Sequence, residues 1–257
     1  MAENDINFSL GRKIFFLHPS AFTQNQIIEE LAQEEYEVYV FRDEAKLRQC
    51  LYKYPDSILF ASINEVMKES AWEELLIKIL DKPETSGVDI GIIATGSDEA
   101  IKLKYQNNFN PRCGYTVIKS DYAEAIKQLN HLLNGVNAKG RRKYIRLAME
   151  KESNTTINIP IGGAFVNGLI KDISVVGFSC SFPEDPELAK NKLLTDIQIR
   201  LQAQLIKAEG IVFGSRMGGG EKIYVFLFTQ RVDPNVRTRI RKYIHTTLQS
   251  RMDHEFK

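Results

Sequence analysis

Long apolar runs are missing from this chain. No segment approaches the ~18 apolar residues that a membrane-crossing helix needs. Met1 to Leu10 is polar and lacks the apolar core of a secretion signal. The expectation is cytoplasmic residence without membrane insertion. Cysteine is scarce: Cys50, Cys113 and Cys180 lie far apart with no C-x-x-C spacing, so neither a zinc site nor a disulfide framework is indicated. The four histidines, His18, His131, His245 and His254, show no H-x-x-x-H spacing, and no serine sits in a G-x-S-x-G elbow. Ser174 as a nucleophile lacks a base in its own neighbourhood. The chain is therefore not expected to be an enzyme, nor to carry a metal or cofactor.

Nor is there an overall excess of one charge. The 257 residues carry a net +1, but the total conceals an asymmetry. Residues 1–138 hold 14 Lys+Arg against 21 Asp+Glu, while residues 139–257 hold 20 against 12. A basic second half concentrates anionic ligands around it, and attraction between the halves is the plainer reading. The length fits one or two domains, and 43% hydrophobic with 26% charged residues is an ordinary globular composition.

The first half alternates between strand and helix. Lys13 to His18, Glu37 to Phe41, Ser57 to Ser62, Val88 to Ala94 and Gly114 to Ile118 read as strands. Gln24 to Glu35 (with Thr23 placed to cap it), Glu44 to Lys53, Trp72 to Leu80, Asp98 to Gln106 and Asp121 to Leu133 read as helices. Five such alternations predict a parallel sheet covered by helices on both faces. Asn134 to Gly140, with two glycines and two asparagines, is the best domain boundary.

Beyond Arg146 the period changes to two. Thr156 to Pro160, Ala164 to Ile173, Phe178 to Phe182, Leu194 to Ile206, Gly210 to Phe213 and Lys222 to Thr229 read as short strands of an antiparallel sheet closing on itself. Gly218-Gly219-Gly220 lacks the Gly-Lys-Ser/Thr ending of a phosphate loop and reads as a hairpin turn. Asp233-Pro234 starts a last helix, whose face of Val236, Ile240, Tyr243, Ile244, Thr247 and Leu248 can cover a barrel opening. Its Arg237, Arg239, Arg241 and Lys242 read as a solvated face, and nucleic-acid binding is not expected.

The stretch from Arg141 to Gly177 carries the most chemistry. Arg142 and Arg146 act from one side whether the segment is helical, about 6 Å apart, or extended, about 13 Å apart. Arginine grips a phosphate or the O6/N7 edge of guanine with two hydrogen bonds. Asp172 and Ser174, two apart on an expected strand, point the same way. The carboxylate can accept from guanine N–H groups, and the hydroxyl can donate or accept. Gly177 permits a tight bend or a close backbone approach.

Arg142-x-x-x-Arg146 preceded by Arg141, then Asp172-x-Ser174-x-x-Gly177, resembles the two-part signature of the PilZ family over roughly residues 139–250. PilZ domains are small β-barrels that bind the bacterial second messenger cyclic di-GMP. The resemblance implies that Arg142 and Arg146 bind phosphate and the guanine edge, that Asp172 and Ser174 contact guanine, and that Gly177 shapes the turn. Arg141 resembles the arginine of members that take up a stacked pair of ligand molecules.

Residues 12–134 resemble, in order and length, the receiver domain of response regulators, without its chemistry. Strand one ends Leu17-His18-Pro19-Ser20, without the acids that hold Mg²⁺, and Ser62 stands where the phosphorylated aspartate belongs. Thr95 and Lys119 match the receiver's hydroxyl and lysine but have no metal or phosphoryl group to serve. The expected organisation is a leader (1–11), a doubly wound pseudo-receiver (12–134), a linker with the arginine motif (135–146), and a PilZ-like antiparallel barrel with its closing helix (147–257). The expected function is a cyclic di-GMP receptor that alters domain arrangement or binds a protein partner through its first domain, with homodimerisation open. The alternative is an adaptor whose barrel binds no nucleotide.

Overall fold

The structure, a computed structural model, describes residues 11–96, 98–118, 122–150 and 155–256. The chain divides into two compact units, Met1–Lys143 with Gln249–Lys257 and Tyr144–Leu248. The division falls inside the arginine segment, and Gln249–Lys257, expected with the barrel, are counted with the first unit.

In the first unit the strands are β1 (Ile14–Leu17), β2 (Val38–Phe41), β3 (Ile58–Ser62), β4 (Asp89–Ala94) and β5 (Tyr115–Val117). All pairings are parallel, in the order β2-β1-β3-β4-β5. Every residue of β1, β3 and β4 is buried, as a sheet covered on both faces requires. The helices are α1 (π-helical Thr23–Ile28 running into α-helical Glu29–Gln33), α2 (Glu44–Lys53), α3 (Glu69–Leu80) and α4 (Glu99–Phe109), which join successive strands, and α5 (Tyr122–Gly135), which follows β5. Asp43 and Asp98 cap α2 and α4, each accepting from two backbone N–H groups of the first turn. The cap of α1 is Ser20, not Thr23. Helical backbone already starts at Ala21, and Ser20 Oγ accepts from the Thr23 N–H at 3.1 Å.

Two contacts set the sheet. The Phe16 and Phe60 rings stack 5.1 Å apart on neighbouring strands. Gly91, on the far side of β3, leaves room for Phe60, since a Cβ there would lie 2.3 Å from the ring. At the other end of the strands Asp89 is 2% exposed. It pairs with Arg12 at 2.5 Å and Arg112 at 3.0 Å, and Arg12 also donates to the Ser57 and Val136 carbonyls. Arg12 is the largely buried partner of that carboxylate, and removing it costs about 3–5 kcal/mol.

The second unit is antiparallel. Its strands are β6 (Leu147–Ala148), β7 (Thr156–Ile161), β8 (Ala164–Ser174), β9 (Gly177–Ser181), β10 (Leu193–Leu201), β11 (Gln204–Gly218) and β12 (Glu221–Phe228), followed by α6 (Pro234–Glu255). The sheet runs β6-β8-β7-β10-β11-β12-β9, and β8 also pairs with β9, closing a six-stranded barrel with β6 as an added strand. Phe178 and Phe226 stack 4.9 Å apart inside it. Ile240 and Ile244 of α6 are buried against the same core, with Val236, Tyr243 and Leu248 beside them. The expected single strand Leu194 to Ile206 is a hairpin instead. Leu201 pairs with Gln204, and Gln202 takes a left-handed φ of 52°. The expected strand Gly210 to Phe213 is the middle of β11. Gly219 and Gly220 form the β11–β12 turn at φ 62° and 81°, a conformation that glycine adopts without strain.

All three cysteines are free and buried. Burial pushes the Cys50 and Cys113 thiols up to about 12 and raises Cys180 as well. A disulfide thiol reagent at pH 8 is therefore expected to titrate none of them in the native protein and all three after unfolding, as read from absorbance of the released thiolate.

Candidate functional site on the β8–β9 hairpin

The site begins with the way β8 ends. Strand alternation is broken between Ile170 and Asp172, where β8 carries a bulge against β9. Ile170 faces the core opposite Cys180, and Ile173 faces it opposite Phe178. Lys171 and Asp172 therefore stand consecutively on the outer face. The Lys171 carbonyl accepts from the Met149 N–H at 2.8 Å, just beyond β6.

The Asp172 carboxylate is held from two sides. Oδ2 accepts from the Ser179 hydroxyl, directly opposite on β9. Oδ1 faces Arg146 Nη1 at 3.4 Å, and Arg146 sits immediately before β6, the neighbour of β8. The ion pair is wetted, with side-chain exposures of 45% and 23%. A pair of this kind contributes about 0–1 kcal/mol. Lys171 Nζ contacts Glu221 Oε1 at 2.6 Å, and that ammonium, with the Ser181 hydroxyl, holds the Glu221 carboxyl below its usual range.

The turn itself is rigidly tied. Ser174 is 2% exposed, and its hydroxyl donates to the Gly177 carbonyl at 3.1 Å. Arg237 of α6 donates to the carbonyls of Val175 (2.8 Å) and Thr229 (2.9 Å), and the Phe228 N–H donates to the Val176 carbonyl. Gly177 serves the close approach rather than a left-handed turn: a Cβ there would lie 2.1 Å from the Phe226 carbonyl oxygen of β12.

Of the six residues expected at the site, Arg146, Asp172, Ser174 and Gly177 assemble at this hairpin. Arg141 and Arg142 are exposed in a segment without regular secondary structure, among the last residues of the first unit's main span. The segment is neither helical nor a strand: the chain bends at Arg141, Lys143 and Tyr144. Ser174 supports the turn from beneath. Lys171 and Ser179 were not read from the sequence, and Arg237, expected on the solvated face of the last helix, is partly buried and ties the turn. Only the bulge puts Lys171 on the same face as Asp172, and the other two act through pairings that no local motif encodes. Among the described residues no group of three or more His, Cys, Asp and Glu could hold a metal ion, and no helix is long and apolar enough to cross a membrane.

The second unit is thus a closed six-stranded barrel with a charged hairpin end, an arginine-bearing lead-in and a terminal helix. Residues 140–246 match the model of the PilZ domain family, and this barrel is a PilZ domain. Similar solved structures include the PilZ domain of YcgR from Escherichia coli with c-di-GMP, at 15% identity over 45% of this chain and 96% of that one, TM-score 0.38. Another is the K. pneumonia MrkH–c-di-GMP complex, at 18% identity over 46% and 56%, TM-score 0.39. The Bacillus subtilis inhibitor of motility MotI/DgrA is similar at 15% identity over 43% and 52%, TM-score 0.37. The chain spans about half the length of the latter two. No curated protein matches it.

The close approach at Gly177 makes a direct prediction. Gly177→Ala forces a methyl group against the β12 backbone and is expected to destabilise the barrel by about 1–3 kcal/mol. Urea unfolding followed by circular dichroism measures it, and a variant as stable as the parent would refute the packing argument.

Proposed function

We propose that this protein is a non-enzymatic cyclic di-GMP receptor, with Arg141, Arg142, Arg146 and Asp172 as ligand contacts and with Ser174 and Gly177 shaping the hairpin that presents Asp172. The observation that carries it is the Arg146–Asp172 pair inside a PilZ domain. In the free protein the guanidinium and carboxylate neutralise each other. A ligand that presents both a phosphate and guanine N–H groups satisfies each partner separately, so a weak solvent-screened pair is exchanged for two charge-assisted contacts. Ser179 stays on one lone pair of Oδ2 and keeps the carboxylate aimed, leaving Oδ1 and the second lone pair of Oδ2 for the base.

Guanine fits better than adenine because the carboxylate can accept from N1–H and N2–H together, whereas adenine N1 is itself an acceptor. The chain passes from one unit to the other between Lys143 and Tyr144, within the arginine arm. Ordering that arm on a ligand favours whichever domain arrangement binds more tightly. The output is then a changed arrangement or a partner bound by the first unit.

The first unit reads as a pseudo-receiver. Its strand order is that of doubly wound flavodoxin-like sheets. At the strand ends, His18 bonds Glu44 through Nε2 at 2.7 Å, and Asn64 accepts from the Thr95 N–H at 2.8 Å. Ser62 is buried at the end of β3, and among the described residues its hydroxyl has no partner. Lys119, the remaining receiver-like position, lies outside the described residues. With no carboxylate ending β1 to hold Mg²⁺, and a serine hydroxyl where the acceptor carboxylate would stand, the site lacks the groups that form a receiver's acyl phosphate.

Isothermal titration calorimetry of the full chain is expected to show saturable binding of cyclic di-GMP and none of GTP or cyclic di-AMP. Arg142→Ala and Arg146→Ala should each weaken it by about tenfold or more without lowering the melting temperature. Two ligands per chain would support the role of Arg141. No heat and an unshifted melting temperature would sink the receptor reading in favour of the adaptor. Incubation with acetyl phosphate and Mg²⁺ is expected to leave the intact mass unchanged, and a stable phosphoryl adduct would refute the pseudo-receiver.

A further inference from the structure

We propose that Lys171 is a further ligand-binding residue, resting on Glu221 in the free protein and transferring to a ligand phosphate on binding. This rests on reading the barrel as a cyclic di-GMP receptor and names a contact outside the two-part signature.

The bulge is the first observation. A regular strand would place Lys171 and Asp172 on opposite faces, but here both stand on the outer face, side by side. The carboxylate proposed to read the base is therefore flanked by two cations, Arg146 from the β6 side and Lys171 from its own strand. The Lys171 backbone is fixed, because its carbonyl accepts from the Met149 N–H. Only the side chain is free to change partner.

The second observation is where that side chain lies. Lys171 reaches from β8 across β9 to Glu221, the first residue of β12. The outward side chains of β9 beneath it are those of Ser179 and Ser181. Small side chains leave the outer face of β9 low, and the Lys171–Glu221 pair straps across it. The strap is solvated, with side-chain exposures of 33% and 42%. A solvated pair of this kind is weakly held, whereas a hydrogen bond from the ammonium to a phosphate is charge-assisted and stronger. The four-carbon stem of lysine lets the ammonium swing while its Cα stays in the sheet. Glu221 is the competitor of the phosphate for that ammonium, so the two residues have opposite effects on affinity.

The test is calorimetric titration of the full chain with cyclic di-GMP, comparing the parent with Lys171→Ala, Lys171→Arg and Glu221→Gln, each checked by thermal melting. Lys171→Ala is expected to weaken binding about tenfold and to make the remaining affinity less sensitive to salt. Glu221→Gln should tighten binding by about threefold, because the carboxamide releases the ammonium, and Lys171→Arg should stay near the parent. A strap that only supports the fold would lower the melting temperature in both Lys171→Ala and Glu221→Gln and move their affinities the same way. Binding by the parent with both variants unchanged, or weakened alike, overturns the inference and leaves the receptor standing. A parent that binds nothing overturns the receptor reading and this inference with it.

Discussion

The second unit depends on one strand keeping three partners in register. β8 pairs with β7 along its first half, and with β6 on one side and β9 on the other along its second. Losing any of these opens the barrel or strands the arginine segment. One inserted residue reconciles the three. Without it, the alternation that sends Ile170 inward would send Asp172 inward and Ile173 outward, exchanging a charge for an apolar side chain in the core. With it, Ile173 is fully buried and the carboxylate stands outside. Core and site thus share a single backbone irregularity, and the site cannot be re-aimed without repacking the barrel.

Much of the architecture was legible because local chemistry and tertiary demand agree. The helix from Glu44 to Lys53 was read to its observed bounds, since Asp43 caps it and Leu47, Cys50 and Leu51 recur on its buried side. The parallel strands declared themselves as unbroken apolar runs. The hairpin at Gln202-Ala203 did not, because neither residue is a usual turn former and the left-handed φ at Gln202 is imposed by the pairing of β10 with β11. The cap of α1 was misplaced for a related reason. Thr23 and Ser20 are both cap formers, and only the helical backbone at Ala21 and Phe22 decides between them.

The candidate site was legible in part. Arg146 and Asp172 were both singled out from the sequence, each as a ligand contact, but the ion pair between them was not expected. Ser174 was read as facing outward for recognition, and it does share the phase of Asp172. The turn that follows, however, folds its hydroxyl against Gly177 and buries it. A period-two reading also hides Lys171, because a bulge leaves no mark on hydrophobic alternation until the partner strand is known. What escaped the sequence was set by non-local pairing.

Phe60 and Gly91 carry a consequence for how this sheet can change over time. They sit on adjacent strands, and the ring occupies the volume that any side chain at position 91 would need. The two positions therefore form a single heritable unit. A methyl group can enter at 91 only in a lineage that has first reduced the ring at 60, and an intermediate carrying the methyl beside the ring pays for a crowded interior. Descendants of this sheet should keep the pair or replace both members, a constraint that is independent of any ligand.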